Sequence, residues 1–247
     1  MNVFYFCSPA GVKVLEDLEV KITRPAEFND PFEFLPRPNG SKRFSEEEAK
    51  MCESFHLTGA QFFHYLCFCR GYQNPRMWAQ YAADHHGLVI EFDLGKEPFS
   101  NFTIENGGLL EVHYDKNERV PISECQVRDS ERFKKISSRK GSAWKDEEEF
   151  RIMIPRYLVE QNVLQIRETI VGERVLTLWQ ITEGSIVSVT LGLRASADLR
   201  YTVKRLLEMK LKDVKLYEAR CHNSEFTMER RPLSLLRMRG NSPSKFK

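Results

Sequence analysis

The 247-residue sequence lacks most of the features that mark extracellular, membrane and metal-binding proteins. Its six cysteines include no CxxC pair, which argues against a zinc site, and their number does not suit a disulfide scaffold in a chain of this length. No apolar run approaches the length that crosses a membrane, and the first residues lack the basic segment and cleavage pattern of a signal peptide. We therefore expect a soluble, cytoplasmic protein with reduced thiols, no bound metal and no membrane partner.

Strong charge and common nucleotide-binding motifs are also absent. The chain has 37 Lys and Arg against 35 Asp and Glu, and the resulting net charge of +2 gives no general case for nucleic acid as a partner. A local nucleic-acid contact stays open. The chain contains no Walker loop, no GxGxxG, no GxSxG and no internal repeat, so none of the corresponding fold families is indicated.

The chain is long enough for one large hydrophobic core, and alternating strand and helix patterns run along most of it. These patterns predict a single α+β domain over residues 1–236. Its predicted elements include a strand over residues 3–7, a helix capped by Ser45, a helix over residues 130–140 with a basic solvent face and a helix over residues 197–209. Residues 237–247 are basic and rich in helix breakers, which predicts a flexible tail.

The most informative stretch is a predicted short helix followed by a core strand. Asn74 is a good N-cap, Pro75 suits the first helical position, and Gly87 supplies a left-handed residue to end the helix. Residues 88–93 then read as a buried strand. One helical face carries Trp78, Tyr81, Ala82 and His85. Such an aromatic face is more typical of core packing than of a ligand site, and we expect Trp78 to face the interior.

Two further segments place polar side chains where a site could form. Asn29 and Asp30 precede a proline in an irregular turn after a predicted strand, which makes the turn rigid. From Glu147 the sequence alternates, so Glu147, Glu149 and Arg151 are predicted to line one face of a strand opposite apolar residues. A solvated face with a modest ion pair is the other interpretation of this alternation.

Three patterns together resemble a prokaryotic family catalogued as domain of unknown function 2971. They are Phe28-Asn29-Asp30-Pro31-Phe32-Glu33, Met77-Trp78-x-x-Tyr81 with His86-Gly87 and Phe92-Asp93, and Trp144-x-x-Glu147-x-Glu149-x-Arg151. Their order and spacing, with Leu191-Gly192-Leu193 before a late helix, cover nearly the whole chain.

The order of the first elements, strand, helix, strand and polar turn, is also similar to ADP-ribosyltransferase-like toxins and modifying enzymes. This resemblance implies mixed or antiparallel sheets in a split arrangement with peripheral helices, and NAD bound as a substrate in a cleft between two sheets. It further implies transfer of ADP-ribose to a macromolecule, or NAD cleavage, by a toxin or a phage-defence effector.

Site residues follow from the chemistry that this resemblance implies. Breaking the nicotinamide–ribose bond creates an oxocarbenium-like centre, which a carboxylate stabilises. Glu149 is the expected catalytic carboxylate, supported by Glu147. Expected cofactor-binding residues fall into three groups: Tyr5, Trp78 and Tyr81 for ring stacking, Arg24, Arg76 and Arg151 for the pyrophosphate, and Asn29, Asp30 and His86 for other polar contacts.

Two other functional classes stay open. One is a metal-dependent hydrolase or nuclease, which would use Asp30, Glu33, His86, Glu147 and Glu149. The other is a non-catalytic sensor module that binds a nucleotide-like ligand, in which the same polar residues form a buried network.

Overall fold

The computed structural model describes residues 1–40, 43–106, 108–115, 119–125, 130–161 and 163–234. Within these residues the chain forms thirteen β-strands and six α-helices. The strands are β1 (Asn2–Cys7), β2 (Glu19–Ile22), β3 (Phe63–Cys69), β4 (Leu88–Asp93), β5 (Leu109–Glu111), β6 (His113–Asp115), β7 (Arg139–Gly141), β8 (Glu149–Pro155), β9 (Ile166–Val171), β10 (Arg174–Gln180), β11 (Ile186–Leu191), β12 (Lys215–Cys221) and β13 (Met228–Pro232). The helices are α1 (Val12–Asp17), α2 (Glu46–Phe62), α3 (Pro75–Tyr81), α4 (Ser130–Ser137), α5 (Arg156–Glu160) and α6 (Ala197–Met209).

Eight of the strands form one mixed sheet in the order β13-β12-β11-β4-β1-β3-β8-β5. Its neighbouring strands are antiparallel except for the parallel pair β11 and β12. A second, antiparallel sheet has the order β2-β10-β9, and β6 pairs with β7 in parallel. The expected α+β class with mixed and antiparallel sheets is confirmed.

The two larger sheets meet at a backbone bridge. The amide of Thr23, just after β2, donates to the carbonyl of Tyr65 in β3 at 2.8 Å, and the amide of Tyr65 donates back at 2.8 Å. The turn that follows Thr23 therefore begins beside the middle of the large sheet. This placement brings residues 27–33 close to β1, β3 and β8.

Apolar residues pack on both faces of the large sheet. The largest cluster combines β4 and β2 with α1 and α6, and it includes Phe92, Phe99 and Trp179. Because successive strand residues point to opposite faces, β1 gives Val3 to this cluster and Phe4 and Phe6 to a cluster under α3.

Trp78 lies in the cluster under α3 and has no exposed surface, so its predicted interior position is confirmed. Its ring packs edge-on against Phe6, with 5.4 Å between ring centroids. Its indole N–H donates to the Tyr72 carbonyl at 2.7 Å, which satisfies the one polar atom that burial would otherwise leave unpaired.

The N-cap of α3 is confirmed, but the predicted end of the helix is wrong. Asn74 Oδ1 accepts from the amide of Arg76 at 2.9 Å. The left-handed residues after the helix are Ala83, Asp84 and His85, whereas Gly87 does not have a positive φ.

Gly87 is needed for close packing instead. A Cβ at this position would lie 2.0 Å from the carbonyl oxygen of Cys7. A Cβ on Gly192 would similarly lie 2.2 Å from the carbonyl oxygen of His85, and the Gly192 amide donates to the Gly87 carbonyl at 2.9 Å. The two glycines therefore let the turn after α3 contact both β1 and the residues after β11.

The predicted strand start at Glu147 is also wrong. Residues Ser142–Glu147 form a 3₁₀ helix, and Glu148 has a left-handed φ of 44°, so β8 begins at Glu149. The 3₁₀ helix breaks the expected alternation, yet the carboxylates of Glu147 and Glu149 still line the same cavity.

Some predictions fall on other parts of the chain. The strand β13 was not expected, and the predicted tail at 237–247 lies outside the described residues. All six cysteines are free. Within the described residues, no helix has the length and hydropathy required to cross a membrane.

Candidate functional site

A cavity of about 290 Å³ opens where β1 and β3 of the large sheet face Thr23 and the turn after it. Six of its seventeen lining residues are aromatic: Phe4, Tyr5, Phe6, Phe28, Phe68 and Tyr81. Its other lining residues include four charged side chains that are almost fully buried: Glu33, Lys140, Glu147 and Glu149. Together with Arg151, which lies behind them, these four residues are called the charge cluster.

Arg151 holds two of the carboxylates in place from behind the cavity. Its guanidinium donates to both oxygens of Glu149 at 2.8 Å, to the Ser137 carbonyl at 2.9 Å and to Glu33. The bidentate contact fixes the orientation of the Glu149 carboxylate, because both oxygens are engaged by one planar group.

Lys140 of β7 connects all three carboxylates. Its ammonium lies 3.0 Å from Glu33, 2.6 Å from Glu147 and 3.3 Å from Glu149. With every group ionised, the charge cluster contains three negative and two positive charges. One negative charge is therefore not neutralised inside the cluster, although all five side chains are buried.

The two catalytic candidates differ in their acidity. Burial opposes ionisation of Glu149, but Arg151 and Lys140 outweigh this effect and lower its pKa to about 2. Burial raises the pKa of Glu147 above its ordinary value, despite the opposing effects of Lys140 and Tyr81. Glu149 is thus held as a carboxylate, while Glu147 is the carboxylate of this pair that takes up a proton first as the pH falls.

A short chain of hydrogen bonds runs from the turn after β2 to Glu147. Asn29 Nδ2 donates to the Tyr81 hydroxyl at 2.8 Å, and that hydroxyl donates to Glu147. Burial, followed by the charge of Glu147, raises the pKa of Tyr81, so the phenol stays protonated. Asn29 and Tyr81 are therefore ordered polar groups at the edge of the cavity.

The cysteines of the cavity are not suited to nucleophilic chemistry. Burial raises the pKa of both Cys67 and Cys69 well above the ordinary thiol value, and the nearby carboxylate of Glu149 raises both further. A thiol is a nucleophile in its deprotonated form. Both thiols therefore serve as wall residues.

The structure brings five of the expected site residues to this cavity: Tyr5, Asn29, Tyr81, Glu147 and Glu149. Arg151 lies directly behind it, where its guanidinium is already bonded to two carboxylates and a carbonyl. It positions acidic groups and does not offer its fork to a ligand in the cavity.

The other expected residues lie elsewhere. Asp30 lines a neighbouring cavity, and its Oδ1 accepts from the Phe32 amide at 3.0 Å. Arg24 pairs with Glu168 at 3.1 Å on the surface. Trp78 has no exposed ring face, so it is core and not a stacking surface.

Arg76 and His86 are both exposed. Arg76 pairs with Asp146 at 2.7 Å and lines an outer cavity that Glu147 also borders. The Nδ1 of His86 lies 2.9 Å from the Ala83 carbonyl oxygen, in the turn after α3. Neither side chain is among those that line the 290 Å³ cavity.

Lys140 was missed by the sequence analysis, which assigned residues 130–140 to a helix with a basic solvent face. The helix α4 ends at Ser137, and Lys140 is a strand residue with 7% of its surface exposed. Three acidic residues that become buried require a cation nearby, but the sequence does not show that β7 supplies it. Tyr114 was also missed, and its hydroxyl accepts from the Glu149 amide at 2.9 Å, which positions the start of β8.

Within the described residues, no group of three or more His, Cys, Asp or Glu side chains is placed to hold a metal ion. The three carboxylates of the charge cluster instead bind Lys140 and Arg151.

Comparisons with known proteins give one match. Searches of curated proteins and of solved structures found no significant similarity. The sequence pattern of one family, described as protein of unknown function (DUF2971), matches residues 77–152. The matched segment contains Tyr81, Lys140, Glu147, Glu149 and Arg151, and Asn29 and Glu33 lie before it. Residues 77–152 therefore match the pattern of the DUF2971 family, the family that the motifs of the chain resemble.

Proposed function

We propose that the cavity binds NAD and breaks its nicotinamide–ribose bond, with transfer of the ADP-ribosyl group to water or to a macromolecular acceptor. The observation that carries this proposal is the charge cluster, whose three carboxylates and two cations leave one negative charge beside an aromatic-walled cavity. A ligand that brings a positive ring to this position would neutralise the buried charge.

The nicotinamide ring of NAD has this character. It is flat and carries a formal positive charge before the bond breaks. Aromatic faces and a nearby carboxylate both attract such a ring. The walls supply Tyr5 and Phe28, while Glu149 supplies the carboxylate. The position of the cavity, between β1 and β3 on one side and Thr23 on the other, agrees with binding between two sheets.

The chemistry needs an ionised group when the bond breaks. Nicotinamide leaves with the bonding electron pair and becomes neutral, so positive charge moves to the ribose carbon and ring oxygen. A carboxylate with a pKa of about 2, such as Glu149, is ionised at neutral pH and stabilises that charge. Asn29 and Tyr81 would hydrogen-bond ribose hydroxyls.

The second step needs a base. Water, or a nucleophile of the acceptor, attacks the ribose carbon and releases a proton. Glu147 suits this role, because its pKa is raised by burial and its carboxylate lies in the same cavity. With water as acceptor, the products are nicotinamide, ADP-ribose and one proton.

A macromolecular acceptor would suit a toxin or a phage-defence effector, and this role is part of the proposal. The proposal also includes a cytoplasmic location, where NAD is available and six free cysteines would stay reduced.

The metal-dependent hydrolase receives less support from the geometry. Its five expected residues do not converge, since Asp30 lines a neighbouring cavity and His86 lies in an exposed turn. A non-catalytic binding module remains the second candidate. The observation in its favour is that both oxygens of Glu149 already accept hydrogen bonds from Arg151.

The test of the proposed function is release of nicotinamide from NAD, with and without cell extract as a source of acceptor. Wild type should release nicotinamide, and folded Glu149→Gln at saturating NAD should release it at least about 10²-fold more slowly. Glu148→Gln is the matched control, because Glu148 is the exposed neighbour of both candidates. NAD binding without release by wild type would favour the binding module, and neither binding nor release would reject both.

A further inference from the structure

A second cavity, of about 590 Å³, lies next to the first and shares Lys140 with it. Its lining includes Phe32, Arg119, Arg139 and Trp144. A smaller cavity of about 380 Å³ adjoins it, since both are lined by Arg119 and Arg139. These two adjoining spaces are called the arginine cavity. Their volumes fall in the range of small-molecule sites.

Basic side chains dominate the arginine cavity. Five basic residues line it, Arg37, Arg119, Lys135, Arg139 and Lys140, against the three carboxylates Asp30, Asp115 and Glu124.

Two of the three carboxylates are already paired with basic side chains. Asp115 pairs with Arg139, and Glu124 pairs with Lys135. Arg119 is exposed, and among the described residues no carboxylate lies within ion-pair distance of it. Its planar fork is the side chain best suited to bind a phosphate through two oxygens.

Aromatic rings lie beside this guanidinium. The Arg119 guanidinium lies over the ring of Phe32, 5.8 Å from the centroid, and 62% of Phe32 is exposed. An exposed ring beside a cavity offers a face on which a flat ligand can stack. Trp144 lines the same cavity and is half-buried.

We propose that the arginine cavity binds a nucleotide, with the phosphates at Arg119 and Arg139 and the base against Phe32 or Trp144. The shared chemistry is a nucleoside diphosphate. This nucleoside diphosphate is either the ADP half of the proposed substrate NAD or a separate nucleotide. Binding at this site does not depend on NAD cleavage in the first cavity.

The first experiment measures ADP binding to the full chain by calorimetry and by tryptophan fluorescence. Of the three tryptophans, Trp78 and Trp179 are buried, so a fluorescence change should come from Trp144. Trp144→Phe should remove the fluorescence change and keep the heat of binding. ADP should bind at least about tenfold more tightly than adenosine, and its affinity should fall with added salt.

Variants then locate the site. Arg119→Gln should weaken ADP binding at least about tenfold, and Phe32→Ala should weaken it by a smaller factor. Arg174→Gln removes a similarly exposed arginine on β10 and should leave the affinity unchanged. Equal affinities for adenosine and ADP, equal behaviour of Arg119→Gln and Arg174→Gln, or no ADP binding at millimolar concentration would each overturn the proposal.

A competition experiment separates the two sources. If NAD displaces ADP, and Arg119→Gln weakens both, the site takes half of the dinucleotide. If ADP binds in the presence of saturating NAD, the site takes a separate nucleotide. Both results support the site. Absence of nicotinamide release with intact ADP binding would reject the proposed catalysis and leave this inference in place.

Discussion

Replacing Arg151 with methionine is expected to lower the free energy of unfolding by about 3–5 kcal/mol at pH 7, the usual cost of breaking a buried ion pair from one side. The structure shows why the loss is large. Arg151 makes two contacts of 2.8 Å with Glu149 and a third contact with Glu33, and only 1% of its surface is exposed. Without it, Lys140 alone faces three carboxylates.

The same magnitude follows from the acidity of Glu149. Its pKa falls from an ordinary 4.5 to about 2, mainly because Arg151 outweighs the effect of burial. A shift of this size corresponds to roughly 3 kcal/mol, since one pKa unit is about 1.4 kcal/mol. A lowered pKa stabilises the fold above pH 4.5, and this contribution is lost as the pH falls towards 2. The cost of Arg151→Met should therefore shrink in that range.

Urea denaturation followed by fluorescence measures this effect, because urea does not screen charges. Arg167→Met is the matched control, since Arg167 is exposed and its ion pair with Glu19 should contribute far less to stability than the buried pair. The double variant Glu149→Gln/Arg151→Met should recover part of the loss, because one unpaired charge is removed with its partner. A loss in Arg151→Met no larger than in Arg167→Met would refute the description of the charge cluster as buried and coupled.

Three other predictions follow from single contacts. Trp78→Ala should cost about 3–5 kcal/mol in chemical denaturation, and a loss below about 1 kcal/mol would contradict its burial. Gly87→Ala should cost about 1–3 kcal/mol or more, because its Cβ would meet the Cys7 carbonyl; Gly184→Ala, where the Cβ meets nothing within 4 Å, should show no comparable change in melting temperature. Wild type should lose stability as the pH falls from 4.5 to 2, and this pH-dependent loss should be absent in Glu149→Gln. An unchanged pH profile in the variant would assign the loss to another group.

Local sequence signals predicted the elements that depend on neighbouring residues. The caps at Asn74 and Ser45 form as expected, because each side chain accepts from an amide two or three residues away. The helix α6 has the predicted bounds, and the strands β1 and β4 lie within one residue of theirs. These features need no information about distant parts of the chain.

The end of α3 and the arrangement of the charges could not be predicted in this way. Gly87 is needed because of its close approach to Cys7, and Gly192 is needed because of its close approach to His85. In each case the two residues are far apart in sequence. Lys140 reaches Glu33 across more than a hundred residues, and its own neighbours suggest a solvated helix.

The candidate site could be predicted only in part, because some of its residues are close in sequence and others are brought together by packing. Glu147 and Glu149 are close in sequence, so their proximity could be expected even though the strand starts later. The positions of Arg24, Arg76 and His86 depend on how the elements pack, and sequence spacing does not report that.

The most direct test of the central claim compares the binding of 1-methylnicotinamide, a cation, with that of nicotinamide, its neutral analogue. If the charge cluster carries an uncompensated negative charge beside the cavity, the cation should bind at least about tenfold more tightly, a difference of about 1.4 kcal/mol. Because the pKa of Glu147 is raised, this preference should increase with pH as Glu147 loses its proton, and it should fall in Glu147→Gln but not in Glu148→Gln. Equal affinities for the two rings in wild type, at every pH, would contradict the claim.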